Sequence, residues 1–133
     1  MSYSEIPIKT PERTIMIDIS PQVQAAVSAT GLEEGIAVVY CPHTTAGITI
    51  NENADPAVKK DMIRSLNKLI PYQAGYTHLE GNSDAHIKAT LTGLSVTVPV
   101  FGGRLALGTW QGIYFCEYDG PRNRRFIVKS VNG

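Results

Sequence analysis

Between Leu94 and Val100 the chain reads Leu-Ser-Val-Thr-Val-Pro-Val, with an apolar side chain at every second position. Period two is the mark of a strand with one buried face, because successive side chains leave a pleated backbone on opposite sides. Ile15, Ile17 and Ile19 repeat the pattern, and Gly35 to Cys41 is a dense apolar run that predicts a buried strand. Residues 3–9 read as extended. Ala46 to Ile50 predicts a further short strand, and residues 111–118 and 124–131 predict two more around the turn Asp119-Gly120-Pro121. Pro99 suggests an edge or a bulge, since proline removes one ladder donor. A chain with so many period-two segments must build sheets, and their edges and faces need cover.

The cover is written between the strands. Ser20-Pro21 and Asp55-Pro56 each place a capping residue before a proline, the pattern of a helix start. Gly31 stops the first helix. In the second, Val58, Met62, Leu66, Leu69 and Ile70 fit one face of a 3.6-residue period, and Pro71 ends it. Residues 71–83 are polar and contain glycine, so they predict a loop. Ser83-Asp84 caps a third, short helix to about Gly93. Seven or eight strands with two or three helices, in one domain spanning residues 1–133, define a compact sheet-rich α+β sandwich.

Composition narrows the partners. Lysine plus arginine equals aspartate plus glutamate, 12 against 12. The whole molecule therefore exerts no net attraction on nucleic acid or on an anionic membrane, and an anion must be held locally. No apolar run approaches the roughly 20 residues of a membrane span, and the N-terminus lacks the pattern of a secretory signal. The expectation is a cytoplasmic protein. Cys41 and Cys116 sit within apolar runs, so both read as buried free thiols in a reducing compartment.

Three polar clusters interrupt the strands. The first, residues 41–56, holds His43, Thr44, Thr45, Asn51, Glu52, Asn53 and Asp55 between strand ends and a helix start. Asp55 reads as a helix cap; His43 and Glu52 have no evident structural task. The second, residues 78–93, holds His78 and His86 with Glu80, Asn82 and Asp84. His86 falls in a first helical turn, where free N–H groups favour an anion such as phosphate. Imidazole also ligates metals and exchanges protons near neutral pH, so His43, His78 and His86 are candidate ligands for zinc or another divalent ion. No HExxH or CxxC spacing accompanies them. The third cluster, residues 102–125, places Trp110 and Gln111 before a strand and Arg122, Arg124 and Arg125 after it. Trp110 offers a face to a flat ring, Gln111 a hydrogen bond to its edge, and the arginines forks for phosphate. The residues alone thus describe a site for a phosphorylated or ring-bearing ligand.

The run HTTAGITINENADP, the later D-A-H-I-K, the S-x-x-V-P-V strand and the segment L-G-T-W-Q-G-I together resemble the YjbQ family, the secondary thiamine-phosphate synthases. The resemblance extends over essentially the whole chain. It implies a homotrimer with polar pockets at subunit interfaces, lined by His43, Asn51, Glu52, His78, His86 and Gln111 with Arg125 nearby. It also implies weak joining of a hydroxymethylpyrimidine diphosphate to a thiazole phosphate, with release of diphosphate. In that reading His43, Glu52 and His86 are catalytic, while Thr44, Asn51, Asn82, Trp110, Gln111 and Arg125 bind ligand. A divalent metal, zinc or magnesium, is expected on His43, His78 and His86. Two other classes compete: a non-catalytic protein that holds a phosphometabolite or metal, and a metal-dependent hydrolase of phosphate esters or amides.

Overall fold

The structure, a computed structural model, describes residues 3–133. In chain order the elements are β1 (Tyr3–Thr10), β2 (Ile15–Asp18), α1 (Ser20–Ala29), β3 (Glu34–Tyr40), β4 (Ala46–Glu52) and α2 (Pro56–Leu69). There follow α3 (Ser83–Thr92), β5 (Ser95–Phe101), β6 (Arg104–Leu105), β7 (Gln111–Glu117) and β8 (Arg122–Asn132). Five strands form one antiparallel sheet in the order β1-β8-β3-β5-β6, and three form a second in the order β2-β7-β4.

The two sheets face each other across the main core. Ala37, Val39, Val98, Val100, Phe126 and Val128 come from the larger sheet; Ile48, Ile113 and Phe115 come from the smaller. Helix α1, together with Ile19 just before it, packs onto this core through Ile19, Val23 and Val27, all fully buried. The smaller sheet has a second cover. Met16, Tyr114, Cys116 and Tyr118 on its back face pack with Ala85 and Ala89 of α3 and with Met62, Ile63 and Leu66 of α2. Strand β7 is therefore buried on both faces, which explains why its sequence is apolar without clean alternation.

Local signals in the sequence were kept or reassigned for physical reasons. Asp55 caps α2, its Oδ1 accepting the Ala57 N–H at 2.9 Å. Pro99 sits where little is lost. Its carbonyl accepts the Ala106 N–H, so its backbone edge points toward the two-residue β6 and not toward β3. Asp84 is not the cap of α3. The cap position belongs to Asn82, whose side chain makes no capping bond, and Asp84 is turned inward to meet cations. Ser20 opens α1 as its first residue, and its hydroxyl accepts the Ile113 N–H of β7 at 2.8 Å. In α2, Leu69 departs from the predicted apolar face and is 71% exposed. The helix lies shallowly on the sheet, with no residue of its own fully buried. Strand β8 begins at Arg122, two residues before the expected start at residue 124, and runs to Asn132, so all three arginines lie on it.

Candidate active site at the open end of the sandwich

Glu117 ends β7 on the face that carries Ile113 and Phe115, and Arg124 lies on the β8 face that carries Phe126 and Val128. Alternation thus sends a carboxylate and a guanidinium into the space between the two sheets. The Arg124 Nε donates to Glu117 Oε1 at 2.8 Å, its Nη2 donates to Oε2, and the same Nη2 reaches Thr45 Oγ1 at 2.8 Å. Thr10 Oγ1 donates to Glu117 Oε1 at 2.7 Å and the Asp119 N–H to Oε2 at 2.9 Å. Burial pushes the Glu117 carboxyl up, but Arg124, Thr10 and the Asp119 amide outweigh it, and the net direction is down. Gly120 is required beside this group, since a Cβ there would collide with the Glu12 carbonyl and crowd Glu117 and Thr10.

Above this pair lies a polar cavity of about 330 Å³, lined by Pro42 to Thr45, Glu80, Asn82, His86, Asp119, Arg122 and Arg124. Each wall has a traceable cause. The β3–β8 ladder stops at Tyr40 and Ile127, and the next position that would serve Arg125 is Pro42, which has no N–H. The His43 ring stands in that place, its Nε2 lying 3.1 Å from the Arg125 carbonyl oxygen and 3.0 Å from the Arg125 amide nitrogen, so that one tautomer donates to the carbonyl and the other accepts from the N–H. Either contact occupies Nε2 and leaves Nδ1 as the ring atom available to a ligand. Burial, with help from Arg124, lowers the His43 pKa, so the ring is neutral at pH 7. On the opposite wall the Asn82 amide is clamped, its Nδ2 donating to Glu80 Oε2 at 3.1 Å and Asp119 Oδ2 at 2.8 Å. Arg122 is braced by Asp119, through Nε to the carbonyl at 2.8 Å and Nη2 to Oδ2 at 3.0 Å. The Nη1 groups of Arg122 and Arg124 make no hydrogen bond to the described residues, and both side chains line the cavity.

A second layer holds the first. Arg13 grips Asp84 with both Nη atoms at 3.2 and 3.1 Å and lies 3.9 Å from Asp119. Asp84, with no exposed surface, also accepts from Lys88 at 3.1 Å, and Lys88 reaches Asn67 of α2 at 2.7 Å. For Asp84, too, burial raises the pKa but Arg13 and Lys88 bring it below its ordinary value.

Of the residues expected in one site, His43, Thr44, Asn82 and His86 meet at this cavity. His78 stands just outside, its ring edge-on to His86 with centroids 5.5 Å apart. Arg125 contributes only its backbone, because neighbouring side chains on a strand point to opposite faces; its guanidinium turns toward Glu5 at 3.6 Å. Asn51, Glu52, Trp110 and Gln111 do not join the cavity within one chain. The β4–β7 ladder pairs Ala46 with Glu117 at the cavity end and Glu52 with Gln111 at the other. Six residue steps separate those ends, roughly 20 Å at the rise of a strand. At the far end Trp110 is 64% exposed, Asn51 Oδ1 accepts the Glu52 N–H, and Gln111 Oε1 accepts the Gly108 N–H. Glu80, Arg122 and Arg124, named in the second and third polar clusters, also line the cavity, whereas Glu117 and Asp119 were not among the expected site residues. Both cysteines are buried free thiols, and burial raises Cys41 to about 11 and Cys116 to about 12. Neither is a nucleophile at neutral pH.

These shifts fix a pH profile. The folded pKa of His43 lies below its ordinary 6.5, so its stabilisation is present above that value and is lost as pH falls through the folded pKa. The folded values of Glu117 and Asp84 lie below 4.5 and 3.8, so their larger contribution is complete at pH 5 and lost beneath it. Melting temperature measured from pH 7.5 to 3 should fall gently below pH 6.5 and steeply below 4.5. Glu117→Gln should flatten the steep part, and an unchanged acid limb in that variant would refute the assignment.

The fold and its cavity together define a class: a two-sheet α+β sandwich with a polar, arginine- and histidine-walled site at one open end. The chain belongs to the YjbQ family, described as UPF0047 protein YjbQ-like, whose family model matches residues 4–133. The UPF0047 protein MJ1081 of Methanocaldococcus jannaschii is 57% identical, over 93% of this chain and 90% of that protein. The UPF0047 protein YugU of Bacillus subtilis is 55% identical, over 93% of this chain and 95% of that one. The crystal structure of a YjbQ/UPF0047-family protein from Clostridium acetobutylicum superposes with a TM-score of 0.95 at 53% identity, over 96% of this chain and 99% of that one. No helix among the described residues is long and apolar enough to cross a membrane.

Proposed function

We propose that the chain is an enzyme of the secondary thiamine-phosphate synthase type, working at the cavity between His43, His86, Arg122 and Arg124. The observation that carries this reading is the convergence of two braced arginines, each with Nη1 uncommitted, and two histidines on one polar cavity. In the reaction a thiazole nitrogen attacks the methylene of the hydroxymethylpyrimidine diphosphate. A C–N bond forms, the C–O bond to diphosphate breaks, and the departing diphosphate takes the bonding electrons. Catalysis of such a step rests on fixed positive groups aimed at the charge that develops. Arg122 and Arg124 are fixed by Asp119 and Glu117, so they need no reorganisation as the leaving group departs. The start of α3 borders the same cavity through Asn82 and His86. His86 stands in that first turn as a donor to the leaving oxygen.

A resident zinc on the three histidines does not fit this arrangement in one chain. His43 Nε2 is taken by the backbone, His78 lies outside the cavity, and among the described residues no group of three His, Cys, Asp or Glu side chains is placed to hold a metal. A magnesium ion brought in on the diphosphate suits the carboxylates of Glu80 and Asp119, because magnesium takes oxygen ligands and keeps several waters. The reading also carries a homotrimer, in which Asn51, Glu52, Trp110 and Gln111 of a neighbouring copy approach this cavity, and a cytoplasmic location.

The test is a turnover assay with both thiamine precursors, with and without magnesium, on protein of measured mass in solution. Wild type should release thiamine phosphate and diphosphate in equal amounts, and His86→Ala should lower the rate at least about ten-fold. Absence of product above background overturns the synthase. Diphosphate release without a C–N bond would favour a hydrolase, and binding without turnover a carrier.

A further inference from the structure

Beside the polar cavity lies a second cleft of about 270 Å³ along the loop between α2 and α3, walled by Tyr72, Gln73, Tyr76 and His78. The partition between the two is one turn, closed by the Gly81 N–H on the His78 carbonyl at 3.2 Å. Glu80 and Asn82 face the polar cavity, while His78 and Gly81 face the cleft. His78 and His86 touch edge to face across that border, so a ring of each space forms the threshold of the other. We infer that this cleft is the ring-binding subsite for the ligand whose phosphates occupy the polar cavity, the juxtaposition of Tyr72, Tyr76 and His78 with the arginines selecting a flat heteroaromatic group carried on a phosphate. The inference rests on the proposed function above and gives the ring-stacking role to residues other than Trp110.

Three features support it. Tyr and His faces take a flat ring without demanding a particular hydrogen-bond pattern. The walls are already ordered: the Tyr76 hydroxyl donates to the Pro71 carbonyl at 2.8 Å, and the Tyr72 ring lies under the Arg13 guanidinium at 4.2 Å. Arg13 is in turn locked to Asp84, so little side-chain freedom is lost when a ring enters. Finally, the size fits. Small-molecule sites span about 300–1,000 Å³, and the polar cavity alone sits at the bottom of that range. Phosphates fill the cavity, and the ring needs a neighbouring space of the kind the cleft offers.

The experiment compares calorimetric binding of inorganic diphosphate with that of hydroxymethylpyrimidine diphosphate, both with magnesium. Wild type should bind the ring-bearing compound about ten-fold more tightly than bare diphosphate. Tyr76→Ala should erase that difference while leaving the bare diphosphate affinity unchanged. Tyr76→Phe, which keeps the ring and loses only the brace to Pro71, should preserve most of it. Equal affinity of the two compounds for wild type, or a parallel loss of both in Tyr76→Ala, overturns the ring subsite and leaves the anion site standing. Failure of wild type to bind either compound overturns both.

Discussion

Replacing Arg124 with leucine should unfold the protein at a melting temperature roughly 10–20 °C below that of the wild type. The size follows from what remains behind. Glu117 has no exposed surface and holds its charge chiefly through Arg124, which forks onto both its oxygens, with Thr10 and the Asp119 amide assisting. Removing one partner of a buried pair costs about 3–5 kcal/mol, since the other must be carried unpaired or protonated. In a domain of this size that energy converts to the stated temperature change. Glu117→Gln is the informative contrast. It keeps the shape and acceptor oxygen but strands the arginine cation, which is 8% exposed and touches the cavity, so its cost should be visibly smaller. Differential scanning calorimetry at pH 7 reads both. A leucine variant within 3 °C of wild type would show that the pair does not join the sheets as described.

The pair also shows what the sequence discloses and what it withholds. Residues 111–118 were legible as a strand, and so were residues 124–131. Reading them further, Glu117 follows Ile113 and Phe115 at period two, and Arg124 precedes Phe126 and Val128 at the same period. A charge on an apolar strand face is almost never buried unless paired. The strand patterns disclose each charge on its own, but not that the two strands bring them opposite each other. The helix starts at Ser20-Pro21 and Asp55-Pro56 were readable because they depend on local backbone chemistry. The site was only half legible for the opposite reason. His43 and Glu52 lie nine positions apart, which looks like proximity, yet the seven-residue β4 carries the chain away from the cavity between them. Sequence distance does not reveal on which side of a strand, or at which end of a sheet, two polar groups emerge. Asp84 fell into the same gap. Its position before a short helix fits a cap, and only the tertiary approach of Arg13 and Lys88 assigns it an inward role.

That inward role leads to the second large effect, expected in Asp84→Ala. The substitution removes a carboxylate with no exposed surface and leaves two cations facing each other: Lys88, 1% exposed, and Arg13. Each loses its strongest partner, and the ammonium keeps only the Asn67 amide oxygen. The loss should again reach about 3–5 kcal/mol in urea unfolding at pH 7. Lys88→Met alone should cost less, because Asp84 retains the two-point grip of Arg13. The decisive comparison is the double variant. If the damage in Asp84→Ala is an uncompensated buried charge, adding Lys88→Met should restore part of the stability, and the two changes will be non-additive in the favourable direction. If the damage is loss of packing, the double variant will be worse than either single one. The same cycle reaches the site, since Arg13 links Asp84 to Asp119 and covers Tyr72. A released Arg13 should loosen the wall shared by the polar cavity and the aromatic cleft. Bare diphosphate binding should weaken in Asp84→Ala and stay near the wild-type value in Lys88→Met.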